Sequence, residues 1–419
     1  MAHDLQPVRG THDLLAESYA QHEHVITSAQ NVAALYGFQR MDTPIFEFSE
    51  VFHRAVGDTS DIVTKETYTF TDRGGESITL RPEFTAAIVR SFISNGLQQT
   101  VPFKAFYAGP AFRYERPQKG RLRQFHQIGA ELLGASDPSA DVEMIALGMQ
   151  TLSVLGLKDS VMLEINSLGD TDSRAAYREA LVAYLSQHES NLSEDSKTRL
   201  HKNPLRILDS KDAGDREIIV GAPTLHAYFN ETSSTHFAAV KAGLDSLGIS
   251  YKVSEKLVRG LDYYSHTVFE FTTDKLGAQG TVLAGGRYDG LVKLMGGQDI
   301  AGIGFAAGVE RLVALIGDTH AAVAKPVVAM IPMSDAAEAE GWKVAQMLRS
   351  HGIATHMDYK GNAKKRFERA NKSGAAYAII LGEEELENAM LTLKNLQSGV
   401  QETLPREQVM EKLKPYVVR

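Results

Sequence analysis

The stretch FRYERPQKGRLRQFHQIGAE, residues 112–131, concentrates groups that handle anions and amides. Side chains alternate across a strand, so Phe125, Gln127, Gly129 and Glu131 share one face. By the same rule Arg113 and Glu115 share a face of the preceding strand. A sheet face is ordinarily apolar where it packs inward. This one presents two carboxylates, an amide, a guanidinium and an aromatic ring around a glycine gap. Burying such groups costs several kcal/mol each, roughly, unless a partner satisfies them. Either a polar ligand binds there or the face is solvated. Arg116, Lys119, Arg121 and Arg123 follow in the connecting loop with no acid among Lys119–Arg123, a local anion site in a chain of net charge −8 or a solvated basic turn.

If phosphates bind, they are not held by a P-loop, because no Gly-x-x-x-x-Gly-Lys-Ser/Thr occurs. AGIGFAAGVERL, residues 301–312, spaces its glycines unlike a dinucleotide fingerprint and lacks the acidic ribose ligand. Its glycines instead suit a strand and helix packed closely, with Arg311 directed into a site. Arginine grips phosphate through paired hydrogen bonds or stacks flat on a purine. LVRGLDYYSHTVFEF, residues 257–271, sets Arg259, Asp262, Tyr263 and Tyr264 at the mouth of a strand. GGRYDGL, residues 285–291 and containing Tyr288, reads as a glycine-rich turn. The 14 His form no HExxH or similar ligand spacing, so His22, His24 and His126 read as surface or structural residues and no metal site is expected. No Ser–His–Asp spacing supports a hydrolase.

The elements that must carry these residues form an α+β region, a helix-rich middle and an α/β tail. Residues 14–36 are predicted helical, ending at Gly37, and 38–48 extended with a break at Pro44. Residues 68–70 and 77–80 flank the turn Asp72-Arg73-Gly74-Gly75, which predicts a hairpin. A helix is expected from Pro82, then strands over 104–115 and 124–133, a helix over 141–155 and a strand over 161–166. Residues 170–247 read as an inserted helical module, with one apolar run at 218–220 as its only strand signal. Strands return at 257–272 and 280–284, and a helix opens near Gly308. After Pro326, strands at 327–330, 354–357 and 377–381 alternate with helices at 336–351 and 363–373, which predicts a small, largely parallel sheet.

A length of 419 residues with 43% hydrophobic composition supports two or three domains and excludes intrinsic disorder. The absence of Cys excludes disulfides, Fe–S clusters, thiolate nucleophiles and Cys-based zinc sites. No apolar run of about 18 residues predicts a membrane span, and the first ten residues do not read as a signal peptide. A soluble cytoplasmic protein is the expected class. Its acidic balance argues against nucleic-acid binding by the whole molecule but not by a local basic patch.

Taken in order, these motifs resemble those of the class II aminoacyl-tRNA synthetases. Residues 112–131 resemble motif 2, residues 302–311 motif 3, and the segment 36–47 with Pro44 motif 1, which in that class builds the dimer interface. RGLDYY at 259–264 and AGGRYDGL at 284–291 resemble the two signatures of the histidyl-tRNA synthetase family, and the tail resembles its anticodon-binding domain. In TLRPEFTAA, residues 79–87, Phe84 stands where the family usually has glycine.

The resemblance implies a class II antiparallel-sheet catalytic domain over residues 1–324, with the helical insertion at 170–247, and an anticodon-binding α/β domain over 325–419. It implies ATP-dependent attachment of L-histidine to tRNA(His) through histidyl-adenylate, in a cytoplasmic homodimer without membrane association. ATP enters as substrate with Mg²⁺, and no tightly bound cofactor is implied. Arg259 and Arg113 would stabilise the reacting phosphate. Arg113, Glu115, Arg121, Phe125 and Arg311 would hold ATP. Glu83, Thr85, Arg113, Gln127, Glu131, Arg259, Tyr263, Tyr264 and Tyr288 would hold histidine. The alternative is a non-catalytic relative, the synthetase-like regulatory subunit of ATP phosphoribosyltransferase, which typically lacks the tail and much of RGLDYY. A small-molecule ligase would leave the tail unexplained.

Overall fold

The computed structural model describes residues 5–56, 65–118, 120–258, 263–277, 280–317, 327–359 and 361–417. The chain divides into two units, residues 1–321 and 322–419. The first unit opens with α1 (Ala16–Leu35), β1 (Gln39–Arg40), β2 (Phe46–Phe48), α2 (Ser49–Val56), β3 (Tyr68–Thr71), β4 (Ser77–Leu80) and α3 (Thr85–Ser94). The long pair β5 (Phe103–Phe112) and β6 (Gln124–Leu133) is followed by α4 (Pro138–Val154) and β7 (Met162–Ser167). Next come α5 (Thr171–Ser186), α6 (Glu194–Lys202), α7 (Ala213–Ile219) and α8 (Glu231–Ser246). The unit closes with β8 (Lys252–Val253), β9 (Ser265–Thr272), β10 (Thr281–Arg287), α9 (Leu291–Leu294), β11 (Gly302–Gly308) and α10 (Val309–Ile316).

An eight-stranded sheet in the order β1-β5-β6-β11-β10-β9-β7-β8 organises this unit, antiparallel except at its two edge pairs. The alternation of β6 shows why. Ile128, Ala130 and Leu132 enter a core with Val25 and Val32 of α1, Met144 and Leu152 of α4, and Leu312 of α10. The opposite face carries Phe125, Gln127, Gly129 and Glu131, so the helices bury one side and leave the other for polar groups. Helix α8 adds Phe237, Val240 and Leu244 to the same core, while Leu181 and Leu185 of α5 join a second core with Tyr263, Tyr264 and Tyr288. The helices of the 170–247 region therefore pack into the cores that support the sheet.

Several sequence expectations are corrected. The helix expected from Pro82 starts at Thr85, because the Glu83 carboxylate accepts the Thr85 and Ala86 N–H groups at 2.6 and 2.9 Å and sets the first turn. β5 stops at Phe112, so Arg113 and Glu115 lie beyond the strand. The 218–220 run ends a helix, α7, whose Ile219 is buried. β9 begins at Ser265, not at residue 257. Gly285 and Gly286 belong to β10 rather than to a turn: a Cβ on Gly285 would lie 2.2 Å from the Gly304 carbonyl oxygen.

The second unit contains β12 (Val328–Pro332), α11 (Asp335–Ser350), β13 (Thr355–Met357), α12 (Ala363–Lys372), β14 (Tyr377–Leu381), α13 (Glu383–Glu387), β15 (Met390–Asn395), β16 (Gln401–Pro405) and α14 (Arg406–Leu413). Its sheet, β13-β12-β14-β15-β16, is mixed rather than largely parallel, since β15 and β16 run antiparallel. The hairpin turn uses Gly399 at φ +76°, a left-handed conformation that glycine adopts freely.

Candidate active site

A cleft of about 380 Å³ lies over the polar face of β6 and β11. Phe125 and Gln127 of β6 reach it directly, as the alternation predicts. Arg113, Arg121 and Arg311 line it as well. Arg113 is held by its Nε donating to the Pro82 carbonyl at 2.9 Å, with its guanidinium 5.3 Å from the Phe125 ring centre. Arg121 lies 3.0 Å from the Glu115 carboxylate. Arg311 donates to the Thr281 carbonyl at 2.7 Å from the first turn of α10. Burial lowers the Arg311 pKa, and the like charges of Arg121 and Arg113 lower it further. An anion placed among these three cations would relieve that repulsion.

The other end of the cleft is aromatic and carboxylic. Tyr263, Tyr264 and Tyr288 line it, together with Glu83 and Thr85. Glu131 is fully buried behind them, accepting hydrogen bonds from the Tyr288 hydroxyl and, at 2.7 Å, the Thr85 hydroxyl. Desolvation pushes its pKa up to about 8 against those bonds. Burial likewise raises the Glu83 pKa, against its backbone bonds and the charge of Arg113. The buried Gln127 Oε1 has no hydrogen-bond partner among the described residues. An orphaned buried acceptor costs about 1–3 kcal/mol, and a donor brought by a ligand would remove that cost.

The structure thus brings Glu83, Thr85, Arg113, Glu115, Arg121, Phe125, Gln127, Tyr263, Tyr264, Tyr288 and Arg311 to one cleft. Glu131 stands behind its wall instead of lining it. Arg259 and Asp262, like Lys119, lie outside the described residues. Phe84, the departure from the family glycine, is 1% exposed and stacks on Tyr107 at 4.4 Å with the planes 8° apart. Sequence reading missed Tyr107, whose ring fills the gap above Gly129: a Cβ there would meet the tyrosine oxygen at 2.2 Å. The register pairing Tyr107 with Gly129 is the signal that could have found it. It also missed that His22, His126 and Glu310 come together, because they are scattered along the sequence.

A family model described as histidyl-tRNA synthetase matches residues 10–312, and one described as an anticodon binding domain matches 327–415. The chain belongs to the histidyl-tRNA synthetase family. A histidine–tRNA ligase of Rhodospirillum rubrum is 56% identical over 400 residues, covering 96% of each chain. One of Gluconacetobacter diazotrophicus is 52% identical over 97% of each. The solved apo histidyl-tRNA synthetase of S. aureus superposes with a TM-score of 0.84 at 36% identity, over 98% of this chain and 100% of that one. The eight-stranded sheet is accordingly the class II synthetase core, and the second unit is an anticodon-binding domain. A protein of Bacillus halodurans described as an ATP phosphoribosyltransferase regulatory subunit/histidyl-tRNA synthetase shares the fold at a TM-score of 0.66 but only 23% identity.

Proposed function

We propose that this chain attaches L-histidine to tRNA(His) in two steps at the cleft. One observation carries the reading in a chain of this family: three arginines converge at one end of a cleft whose other end is walled by three tyrosines. In the first step a histidine carboxylate oxygen attacks the α-phosphorus of ATP, and the bond to the bridging oxygen breaks as pyrophosphate leaves. In the second, the 3′-terminal hydroxyl of the tRNA attacks the acyl carbon and AMP leaves. Negative charge builds on the α-phosphate in the first step, where preorganised cations lower the barrier. Arg113 takes that role with Arg259, whose assignment rests on the RGLDYY resemblance. Mg²⁺ enters with ATP as part of the substrate and neutralises phosphate charge.

Arg121 holds the outer phosphates, Phe125 and Arg311 sandwich the adenine, and Glu115 accepts from its amino edge. Glu83, Thr85 and the orphaned Gln127 oxygen accept from the ammonium end of histidine, and the Arg113 guanidinium faces its carboxylate end. Tyr263 and Tyr264 face the imidazole beside Tyr288. Glu131 contributes by holding Tyr288 and Thr85, since both its oxygens already accept bonds from them. A site made of such polar groups rejects analogues that leave them unpaired.

Residues 1–324 serve as the catalytic domain, with 170–247 as its helical insertion, and 325–419 contact the anticodon. A homodimer covers one further surface. Registered pairs place Phe46, Phe48, Tyr68, Phe70, Ile78 and Leu80 on one face of the β2-β4-β3 sheet, where Phe46 and Phe48 are each 57% exposed. A second copy of the chain would bury that patch. A monomer mass by light scattering at micromolar concentration would count against it. No helix among the described residues is long and apolar enough to cross a membrane, and we place the activity in the cytoplasm with its tRNA. Histidine-dependent ATP–pyrophosphate exchange, followed by charging with tRNA, tests the whole reading. Absence of exchange would favour the regulatory-subunit alternative.

A further inference from the structure

Beside the cleft, α1, β6 and α10 bring His22, His126 and Glu310 together, each with a ligand-capable atom within 4.8 Å of the others. His22 is 6% exposed, and its Nδ1 makes no hydrogen bond among the described residues. Its ring meets His126 edge-on at 5.3 Å. Burial lowers the His22 pKa, opposed by Glu310 and reinforced by His126. Glu310 accepts the His126 backbone N–H with both oxygens, at 2.8 and 3.0 Å, and lies 2.9 Å from His126 Nδ1.

We propose that His22, His126 and Glu310 form a binding site for a divalent transition-metal ion, with zinc the best match. Two imidazoles and one carboxylate are the donors zinc accepts, whereas magnesium and calcium require mostly oxygen. Zinc–ligand bonds of about 2.0–2.2 Å set tetrahedral donors roughly 3.4 Å apart, so no pair of donor atoms need close by more than about 1.4 Å on binding. The side chains of His126 and Glu310 are 23% and 17% exposed and have room to turn. One Glu310 oxygen can move to the ion while the other keeps the His126 N–H. Water completes the coordination. The ion also gives the orphaned His22 nitrogen a partner that the described residues do not supply.

The test uses the full chain stripped of metal by a chelator and titrated with Zn²⁺ alone. One tight site per chain is expected, at least about tenfold weaker in His22→Phe, which keeps an aromatic ring in the pocket, and unchanged in His24→Phe. Loading with Co²⁺ should give a visible d–d absorption that His22→Phe abolishes. X-ray absorption of the zinc-loaded wild type provides a readout that depends on no variant, and should show two imidazoles. Failure of the wild type to bind zinc stoichiometrically, equal binding by His22→Phe, or fewer than two imidazoles at the metal would overturn the proposal.

Discussion

Gly304 lies directly opposite Glu131 across the β6–β11 pair, and a Cβ on that glycine would sit 1.6 Å from the Glu131 Oε2. The glycine is therefore the space that the carboxyl occupies, and motif 3 shapes the end of the cleft proposed to hold histidine as well as the end proposed to hold ATP. Gly304→Ala should displace Glu131 from Tyr288 and Thr85. Overpacking of this kind costs about 1–3 kcal/mol. A folded variant with at least tenfold lower kcat/KM for histidine, and a smaller change in KM for ATP, is the expected outcome in pyrophosphate exchange.

The protonation of Glu131 makes a separate prediction. Its pKa is raised from 4.5 to about 8 in the folded chain. Between those values the folded state holds a proton that the unfolded state has released. The stability contributed by this group is complete below about pH 4.5 and is lost as pH rises toward 8. Glu131→Gln should remove that dependence, which reaches about 1.4 kcal/mol per pH unit for a single proton. Denaturant unfolding of both proteins at pH 5, 6, 7 and 8 reads it directly. Parallel stability curves would show that the carboxyl is ionised in the fold.

These two residues also mark how far the sequence could be read. The alternation of β6 was legible, because a strand's period is fixed, and it placed Phe125, Gln127 and Glu131 on one face correctly. Depth was not legible. Phe125 and Gln127 reach the cleft, whereas Glu131 is covered by Tyr288 and Thr85, which approach from β10–α9 and α3. Phe84 is similar. Its chain position said only that it replaces a glycine; its stacking on Tyr107 depends on the β5 register. The tail's β15–β16 hairpin was missed because residues 390–405 mix polar residues into a modest alternation.

Arg287 and Asp141 are both fully buried and paired, with Arg287 also donating to the Ala135 carbonyl at 2.9 Å and to Asp289 at 3.1 Å. Burial acts to raise the Asp141 pKa, but bonds from His236 and Arg287 leave it lowered overall. Asp141→Asn should leave the buried guanidinium with only the partly exposed Asp289 carboxylate as counter-charge and cost up to about 3–5 kcal/mol. Pairing it with Arg287→Met should recover part of that loss. Thermal unfolding of the two single variants and the double variant tests this, and additive losses would argue against a coupled pair.

The basic run of the tail splits into two groups. Arg366 donates to the Pro332 carbonyl at 2.5 Å and Arg369 pairs with Asp358 at 2.8 Å, while Lys364, Lys365 and Lys372 are exposed. Lys360 lies outside the described residues. Replacing the three exposed lysines with Gln should leave stability within about 0.5 kcal/mol and flatten the salt dependence of tRNA binding. Removing residues after about 325 should spare pyrophosphate exchange but weaken charging. Unchanged charging by the truncated chain would remove the tail from tRNA recognition.

The last prediction concerns Arg259. Charge develops on the α-phosphate as pyrophosphate departs, and a guanidinium remains protonated throughout. Of the two cations assigned there, Arg113 is tethered to the Pro82 carbonyl, which fixes its position before substrate arrives. Removing one such donor typically costs about 10²–10³-fold in rate, or roughly 3–4 kcal/mol. Arg259→Ala should therefore lose that order of histidine-dependent exchange while folding and associating normally. Histidine affinity should change much less, because Gln127, Thr85 and the three tyrosines remain. Arg259→Lys should recover little, since an ammonium cannot reproduce the planar fork. Near-normal exchange by the Ala variant would mean that Arg113 and the magnesium carried by ATP suffice, leaving Arg259 a structural residue.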